Sequence, residues 1–192
     1  MPNLYIIAGC NGAGKTTASF TILPEMLDCD EFINADEIAR GLSPLNYEKS
    51  AIEAGRIMLT KIDKLIKNNK DFAFETTLAS KSYIKTIEKV KQLNYKVNLI
   101  FFWLESPELA IERVRLRVLE GGHNIPSKTI KRRYFSGLKN LFEYYIPKCD
   151  YWMIFNNSES PAEFIAEGFA DAEINIKNNR IFDVIKKMKD EE

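Results

Sequence analysis

The sequence predicts a three-layer α/β/α fold with a mainly parallel sheet of five or six strands, formed by a single domain over residues 1–192. First, short apolar runs alternate with amphipathic helical stretches, as in sheets whose parallel strands are joined by helices. Second, a glycine-rich loop separates the first of these strands from the first helix. Third, 45% of the residues are hydrophobic and 28% are charged, which is typical of a globular chain.

The first four elements are predicted from apolar runs and their period. Leu4–Ala8 is a short apolar run, as expected for a buried strand, and the helix Thr16–Leu23 follows the glycine-rich loop. Glu31–Ala35 predicts a short second strand. Tyr47–Asn69 predicts a long helix, because apolar side chains recur every three or four residues at Ala51, Ala54, Met58, Ile62, Leu65 and Ile66.

The middle of the chain predicts two further strands around one helix. Asp71–Glu75 is the third strand. Ser80–Leu93 is an amphipathic helix whose period is marked by Tyr83, Ile84, Ile87 and Val90. Lys96–Leu104 is almost wholly apolar, which indicates a strand that is buried on both faces of a parallel sheet.

The elements after residue 105 are predicted from end signals as well as from period. Ser106 as N-cap and Pro107 at the first helical position start a helix that runs to about Glu120, before Gly121 and Gly122. Ser127 is predicted to cap the next helix. The remaining elements are the helix Lys128–Tyr145, the strand Asp150–Phe155, a strand at Phe169–Ile176 and a closing helix Arg180–Lys189.

The loop between the first strand and the first helix has the pattern GxxxxGKT over residues 9–16, which predicts a P-loop NTPase fold. Its backbone N–H groups and the helix N-terminus suit phosphate oxygens. Lys15 is expected to reach the β- and γ-phosphates, and the Thr16 hydroxyl to bind Mg²⁺. The expected nucleotide contacts are Gly9, Asn11, Gly12, Ala13, Gly14, Lys15, Thr16 and Thr17.

Two acidic segments follow predicted strands and are expected to face the nucleotide. Asp36 could act as the base that accepts the proton of an attacking hydroxyl, or it could cap a helix over Glu37–Gly41. Arg40 could bind an anionic acceptor or lie on the surface. Glu75 could bind Mg²⁺, and the substrate-binding candidates at this strand end are Glu75, Thr76 and Thr77; a polar turn is the alternative.

The arginines between residues 112 and 133 predict a helical lid over the site. Arg113 and Arg117 share a helix face and are candidate catalytic residues, because charge develops on the transferring phosphoryl group. His123, Arg132 and Arg133 are candidate substrate contacts. A solvated helix face paired with neighbouring glutamates is the alternative for any single arginine.

Composition limits the partners. The formal net charge is zero, so bulk electrostatics does not indicate nucleic acid as a ligand. The three cysteines, Cys10, Cys29 and Cys149, are widely spaced, which favours reduced thiols in the cytoplasm over a zinc site or disulfides. The sequence has no apolar run long enough to span a membrane, and its opening strand leaves no room for a signal peptide.

Taken together, these motifs resemble the zeta-toxin family of P-loop kinases over roughly residues 4–157. The resemblance rests on the phosphate loop, the Asp36 segment, Glu75-Thr76-Thr77 and the lid. It implies ATP and Mg²⁺ as cofactors, Asp36 as the base, Lys15 as the phosphate anchor, lid arginines on the γ-phosphate, and a UDP-N-acetylhexosamine as acceptor. The chain is similar to the short, stand-alone branch of the family, and its lid carries His123 before Pro126 where toxic members carry an arginine.

Other functions fit the same motifs. The acceptor could be a nucleoside, a sugar acid or an RNA end. The chain could also be a nucleotide-switch ATPase that acts through a protein partner. GTP is disfavoured because no NKxD motif is present, although Asn156 and Asn157 could line the base pocket. No antitoxin-binding segment is readable in the sequence.

Overall fold

The computed structural model describes residues 1–43, 47–170 and 172–190, and it contains one seven-stranded sheet. In chain order the strands are β1 (Asn3–Gly9), β2 (Phe32–Ile33), β3 (Phe72–Thr76), β4 (Lys96–Trp103), β5 (Tyr151–Asn156), β6 (Glu163–Phe169) and β7 (Asn175–Ile176). The helices are α1 (Lys15–Met26), α2 (Ala35–Leu42), α3 (Tyr47–Lys67), α4 (Ile84–Gln92), α5 (Pro107–Leu119), α6 (Ser127–Asn140) and α7 (Asn179–Met188).

The sheet has the order β2-β3-β1-β4-β5-β6-β7. The first five strands in this order pair in parallel, and β6 and β7 add antiparallel strands at one edge. The mainly parallel α/β fold is therefore confirmed, with one or two more strands than predicted. The predicted strand Phe169–Ile176 was wrong as one strand, because Phe169 is the last residue of β6 and only Asn175 and Ile176 form β7. The alternation in β6 is broken by Ala166 and Gly168, so its strand pattern was missed.

The core lies on both faces of the parallel part of the sheet. Every residue from Val97 to Trp103 except Asn98 is buried, as expected for a central strand covered by helices on both sides. The α3 stripe is buried at Ala54, Met58, Ile62, Leu65 and Ile66. None of the helices in the described ranges has the length and apolarity that a membrane crossing requires.

The ends of the helices differ in detail from the sequence prediction. Ser106 caps α5 by accepting from Leu109 N–H at 3.1 Å, and Pro107 follows it as predicted. Ser127 is not a cap: it is the first residue of α6, whose N-cap position is held by Pro126 without a side-chain hydrogen bond. The helix predicted to reach Tyr145 also changes form, because Leu141–Tyr145 is a π-helical turn.

The strand order locates the ligand crevice. β1 lies between β3 and β4: the chain runs from β1 to β2 and β3 on one side, and from β3 it crosses to β4 on the other side. In open parallel sheets, ligands bind beyond the carboxyl ends of the strands at this reversal point. The glycine-rich loop follows β1 at that end, and the residue segments that follow β2 and β3 meet it there.

Candidate active site

The glycine-rich loop turns sharply between β1 and α1. Gly9 has φ 144°, and a Cβ at this position would lie 2.3 Å from the carbonyl oxygen of Phe102 in β4. Gly14 is the N-cap of α1 and adopts the left-handed region with φ 79°. Glycine at these two positions lets the loop lie directly against the sheet.

Lys15 lies inside the loop rather than in solvent. Its side chain is 5% exposed, and Nζ donates to the carbonyl of Cys10 at 2.8 Å. Nζ also lies 3.5 Å from Glu75 Oε1 at the end of β3. Burial raises the pKa of the neighbouring Cys10 thiol to about 11, so this cysteine stays protonated at neutral pH.

Thr16, Asn34 and Glu75 form a hydrogen-bonded group beside the loop. The Thr16 hydroxyl donates to Glu75 Oε2 at 2.6 Å, and Asn34 Nδ2 donates to the same oxygen at 2.9 Å. A hydroxyl and a carboxylate oxygen are the hard ligands that Mg²⁺ prefers, so this pair fits the ion that the fold class implies. The group draws on three strands, because Thr16 lies in the helix after β1, Asn34 directly follows β2 and Glu75 lies near the end of β3.

Asp36 is the second residue of α2 and is not its cap. The cap is Asn34, whose Oδ1 accepts from the Asp36 N–H at 2.8 Å. The alternative prediction that Asp36 caps a helix over 37–41 was therefore wrong. Asn34 is almost completely buried, and its amide both caps α2 and contacts Glu75, which fixes the helix start next to the phosphate loop.

A cavity of about 240 Å³ opens in front of Asp36. It lies between the start of α2, helix α3, the segment before α6 and the first turns of α6. Its polar lining comes from Asp36, His123, Asn124, Thr129 and Arg133, and its apolar lining comes from Ala35, Ala51, Ile125 and Pro126. Arg133 connects the cavity to the loop, because its Nη1 donates to Asn11 Oδ1 at 3.3 Å.

His123 lies across from Asp36 in this cavity, with Nε2 3.9 Å from Asp36 Oδ2. Burial lowers the pKa of His123, and nearby Arg117 and Arg133 lower it further, while Asp36 and Glu37 oppose this shift. The imidazole is therefore mainly neutral at pH 7. A neutral imidazole can accept or donate a hydrogen bond without cancelling the charge of Asp36.

The predicted lid arginines have different surroundings. Arg113 donates to the carbonyls of Asn157 and Ser158, at 2.7 and 2.8 Å, so both ends of its guanidinium are bound to backbone. Arg117 Nη2 donates to the carbonyl of His123 at 3.2 Å, and its buried Nε has no hydrogen-bond partner among the described residues. Arg133 reaches the phosphate loop, as described above.

The remaining predicted site residues divide between the loop region and the surface. The Thr76 and Thr77 hydroxyls accept from the backbone N–H groups of Leu78 and Ala79, at 3.1 and 3.4 Å, and close the turn that follows Glu75. By contrast, Thr17, Arg40 and Arg132 are exposed and are not brought to the cavity.

Three asparagines were not given their structural roles by the sequence analysis. Asn34 joins Thr16 to Glu75, Asn157 donates to the Ala13 carbonyl at 2.8 Å, and buried Asn140 donates to the Leu78 carbonyl at 2.7 Å. Asn34 directly follows β2 and Asn157 directly follows β5, and a polar residue at a strand end is a signal that the sequence shows. Asn140 lies at the end of a helix, and its sequence gives no sign of its contact with the β3 turn.

The parallel sheet, the loop after β1 and the carboxylate at the end of β3 define a P-loop protein with the fold of nucleoside-triphosphate-dependent kinases. Within that class the chain belongs to the Zeta toxin family, because the sequence model of that family matches residues 1–180. An uncharacterized protein of Haemophilus influenzae is 32% identical over 127 residues, which are 66% of this chain and 88% of the relative.

Two solved structures are similar in fold. AvrRxo1-ORF1:-ORF2 with ATP superposes with a TM-score of 0.78 at 16% identity, over 98% of this chain and 64% of the other. This chain thus spans less than two thirds of that protein. The PezAT toxin-antitoxin system of Streptococcus pneumoniae has a TM-score of 0.63 at 19% identity, over 100% of this chain and 80% of the other.

Proposed function

We propose that this protein is an ATP-dependent phosphotransferase that transfers the γ-phosphate to a hydroxyl of a small molecule. The observation that carries the proposal is the position of Asp36. Its carboxylate lines a cavity that Arg133 connects to the phosphate loop. A carboxylate on the acceptor side of a phosphate loop is the arrangement that proton removal from an attacking hydroxyl requires.

In the proposed reaction the acceptor hydroxyl gives its proton to Asp36 while its oxygen attacks the γ-phosphorus. The new O–P bond forms as the bond to the β-phosphate oxygen breaks, and ADP leaves. Lys15 and the loop amides hold the phosphates, and Arg133 and Arg117 stabilise the charge on the transferring group. When bound, Mg²⁺ neutralises phosphate charge, with Thr16 and Glu75 as its protein ligands.

The acceptor proposed for the first test is a UDP-N-acetylhexosamine, which the family resemblance implies. Nucleosides, sugar acids and RNA ends are the alternative acceptors. Incubation with ATP, Mg²⁺ and this panel, followed by mass analysis of the products, identifies the acceptor. A nucleotide switch would instead release phosphate with no acceptor modified, and it would form a nucleotide-dependent protein complex.

The Asp36→Asn variant tests the base. It keeps the size of the side chain and one acceptor oxygen but cannot take up the proton, so phosphoryl transfer should fall by roughly 10²-fold or more while ATP affinity is retained. Single-turnover transfer and ATP titration measure the two effects. Arg40→Ala, on the exposed face of the same helix, is the matched control. Transfer at the normal rate in Asp36→Asn would contradict the proposal.

A protein partner is a separate proposal. One of the similar structures pairs ORF1 with ORF2, and the other comes from a toxin-antitoxin system. We expect that co-expression of this chain with the product of its neighbouring gene would yield a complex in gel filtration. If the chain is toxic, its expression alone would arrest growth, and Asp36→Asn would relieve the arrest.

A further inference from the structure

Asn157 lies directly behind the phosphate loop. It follows β5, and its backbone N–H donates to the Trp103 carbonyl at 2.8 Å, which continues the parallel pairing of β5 with β4. Its side-chain amide points the other way and donates to the Ala13 carbonyl at 2.8 Å. A Cβ on Gly14 would lie 2.5 Å from this amide nitrogen, so the two segments are in direct contact.

Arg113 holds this asparagine in place. One guanidinium nitrogen donates to the Asn157 carbonyl and the other to the Ser158 carbonyl. Helix α5 itself touches the phosphate loop, because a Cβ on Gly12 would lie 2.8 Å from the Ala110 carbonyl and 3.2 Å from Arg113 Cβ. The contact between Arg113 and Asn157 therefore joins helix α5 to the end of strand β5, and both are regular elements of the fold.

The peptide unit between Ala13 and Gly14 explains what the contact with Asn157 can do. The Ala13 C=O and the Gly14 N–H belong to the same planar trans peptide, so they point in opposite directions. Fixing the carbonyl toward Asn157, on the outside of the loop, turns the Gly14 N–H toward the inside, where phosphate oxygens bind. Gly14 also adopts the left-handed conformation. Without the contact to Asn157, a glycine would readily change to other backbone conformations.

We infer that Asn157, supported by Arg113, is a positioning residue that orients the Gly14 amide for phosphate binding. The inference rests on the proposed function only in that the loop binds a nucleoside triphosphate. It assigns Arg113 to the shaping of the loop rather than to contact with the transferring phosphoryl group. The inference also gives Asn157 no part in recognising the nucleotide base, because its side-chain amide donates to the loop backbone.

Inorganic tripolyphosphate, which has no base or sugar, tests this role. Calorimetric titration should show that Asn157→Ala weakens the binding of tripolyphosphate and of ATP by the same factor, roughly 3- to 10-fold, the effect of one hydrogen bond. Asn157→Asp has the same shape but no donor, and it should weaken both ligands at least as much. If one of these variants fails to fold, the other still tests the inference. Thermal melting shows whether each variant is folded.

Asn156→Ala is the matched control. Its side-chain oxygen accepts from Ser158 within the same segment, so the variant disturbs that segment without removing the contact to Ala13. It should leave both affinities within about twofold of the wild type. Arg113→Ala should weaken tripolyphosphate binding in the wild-type background and add little in the Asn157→Ala background, because both act through one contact.

The outcomes separate the two proposals. Loss of ATP affinity with unchanged tripolyphosphate affinity would mean a contact to the base and would overturn the inference, as would equal losses in Asn156→Ala and Asn157→Ala. Failure of the wild-type protein to bind either ligand would overturn both proposals. Matched losses in the Asn157 variants, with no acceptor phosphorylated by the wild type, would support the inference and contradict only the proposed phosphotransferase activity.

Discussion

At the scale of single residues, the site depends on side chains that each form polar contacts with at least two neighbours. Asn34 uses its amide oxygen to cap α2 and its amide nitrogen to contact Glu75 and Thr16. Glu75 in turn accepts from Thr16 and faces Lys15. Because these groups are buried or half-buried, removing one leaves the others without partners, which costs more than the hydrogen bond itself.

His123 gives the molecule a dependence on pH at residue scale. Its pKa in the folded protein is below the ordinary value of 6.5, so the unfolded chain binds the proton more readily than the folded one does. The free energy of unfolding should therefore fall as the pH drops through and below about 6.5. In His123→Asn this decrease should be smaller, and urea unfolding at pH 7.5 and 5.5 measures the difference.

The groups that face His123 set the size of this effect. Asp36 and Glu37 favour the protonated imidazole, whereas Arg117 and Arg133 and burial oppose it. Lys89→Ala, which changes an exposed ion pair remote from the site, controls for general effects of acid. Equal losses of stability in His123→Asn and the wild type would show that the pKa of His123 is not lowered.

At the scale of elements, the sequence predicted those parts of the fold that have a strong local pattern. Continuous apolar runs identified β1 and β4, and the Ser106-Pro107 signal located the start of α5. The sequence analysis missed β6, in which the alternation of apolar and polar residues is weak. It also missed the π-helical turn, because the form of that turn depends on packing rather than on local preference. The phosphate loop was predicted because its motif is contiguous. The roles of Asn34, Asn140 and Asn157 depend on contacts between distant segments.

Arg117 lies in the segment predicted to form the lid, residues 112–133, and its role is a prediction at this scale. Arg117→Ala should lower phosphoryl transfer by about 10-fold or more, because its guanidinium is proposed to stabilise the charge on the transferring group, and it should lower ATP affinity less. Steady-state transfer and equilibrium ATP binding measure the two effects. Arg115→Ala, an exposed arginine on the same helix, is the control. An equal decrease in both quantities would indicate that Arg117 only supports the fold of the lid through the His123 carbonyl.

Helix α6 also fixes the turn after β3. Leu78 is buried in the left-handed region with φ 55°, and Asn140 binds its carbonyl. Asn140→Ala would leave that carbonyl without its partner, so the free energy of unfolding should fall by about 1–3 kcal/mol. Urea denaturation measures the change, and exposed Lys139→Ala serves as the control. Unchanged stability would mean that the turn holds its conformation without α6.

At the scale of the whole molecule, the last helix completes the core beside the antiparallel strands. The Phe182 ring of α7 stacks on Trp152 of β5, with centroids 6.4 Å apart, and meets Phe142 edge to face. Trp152 also lies against Gly168 of β6, where a Cβ would come within 2.7 Å of the indole ring. The C-terminal elements are therefore packed into the same core as the parallel strands.

Phe182→Ala tests this packing. Removal of a buried aromatic ring should lower the free energy of unfolding by about 3–5 kcal/mol, since the cavity between α7 and β5 cannot close fully. Urea denaturation followed by tryptophan fluorescence reports both the stability and the surroundings of Trp152. Val184→Ala, at a partly exposed position of the same helix, should have a much smaller effect. A small loss in Phe182→Ala would show that α7 is only loosely attached.

The two outer strands of the sheet, β2 and β7, are each only two residues long. Their unpaired backbone groups offer a second molecule too short a template for strand-to-strand addition, the first step of ordered aggregation. With a formal net charge of zero, the chain has little mutual repulsion to keep copies apart. Blunt sheet edges therefore provide a protection against self-association that its charge does not.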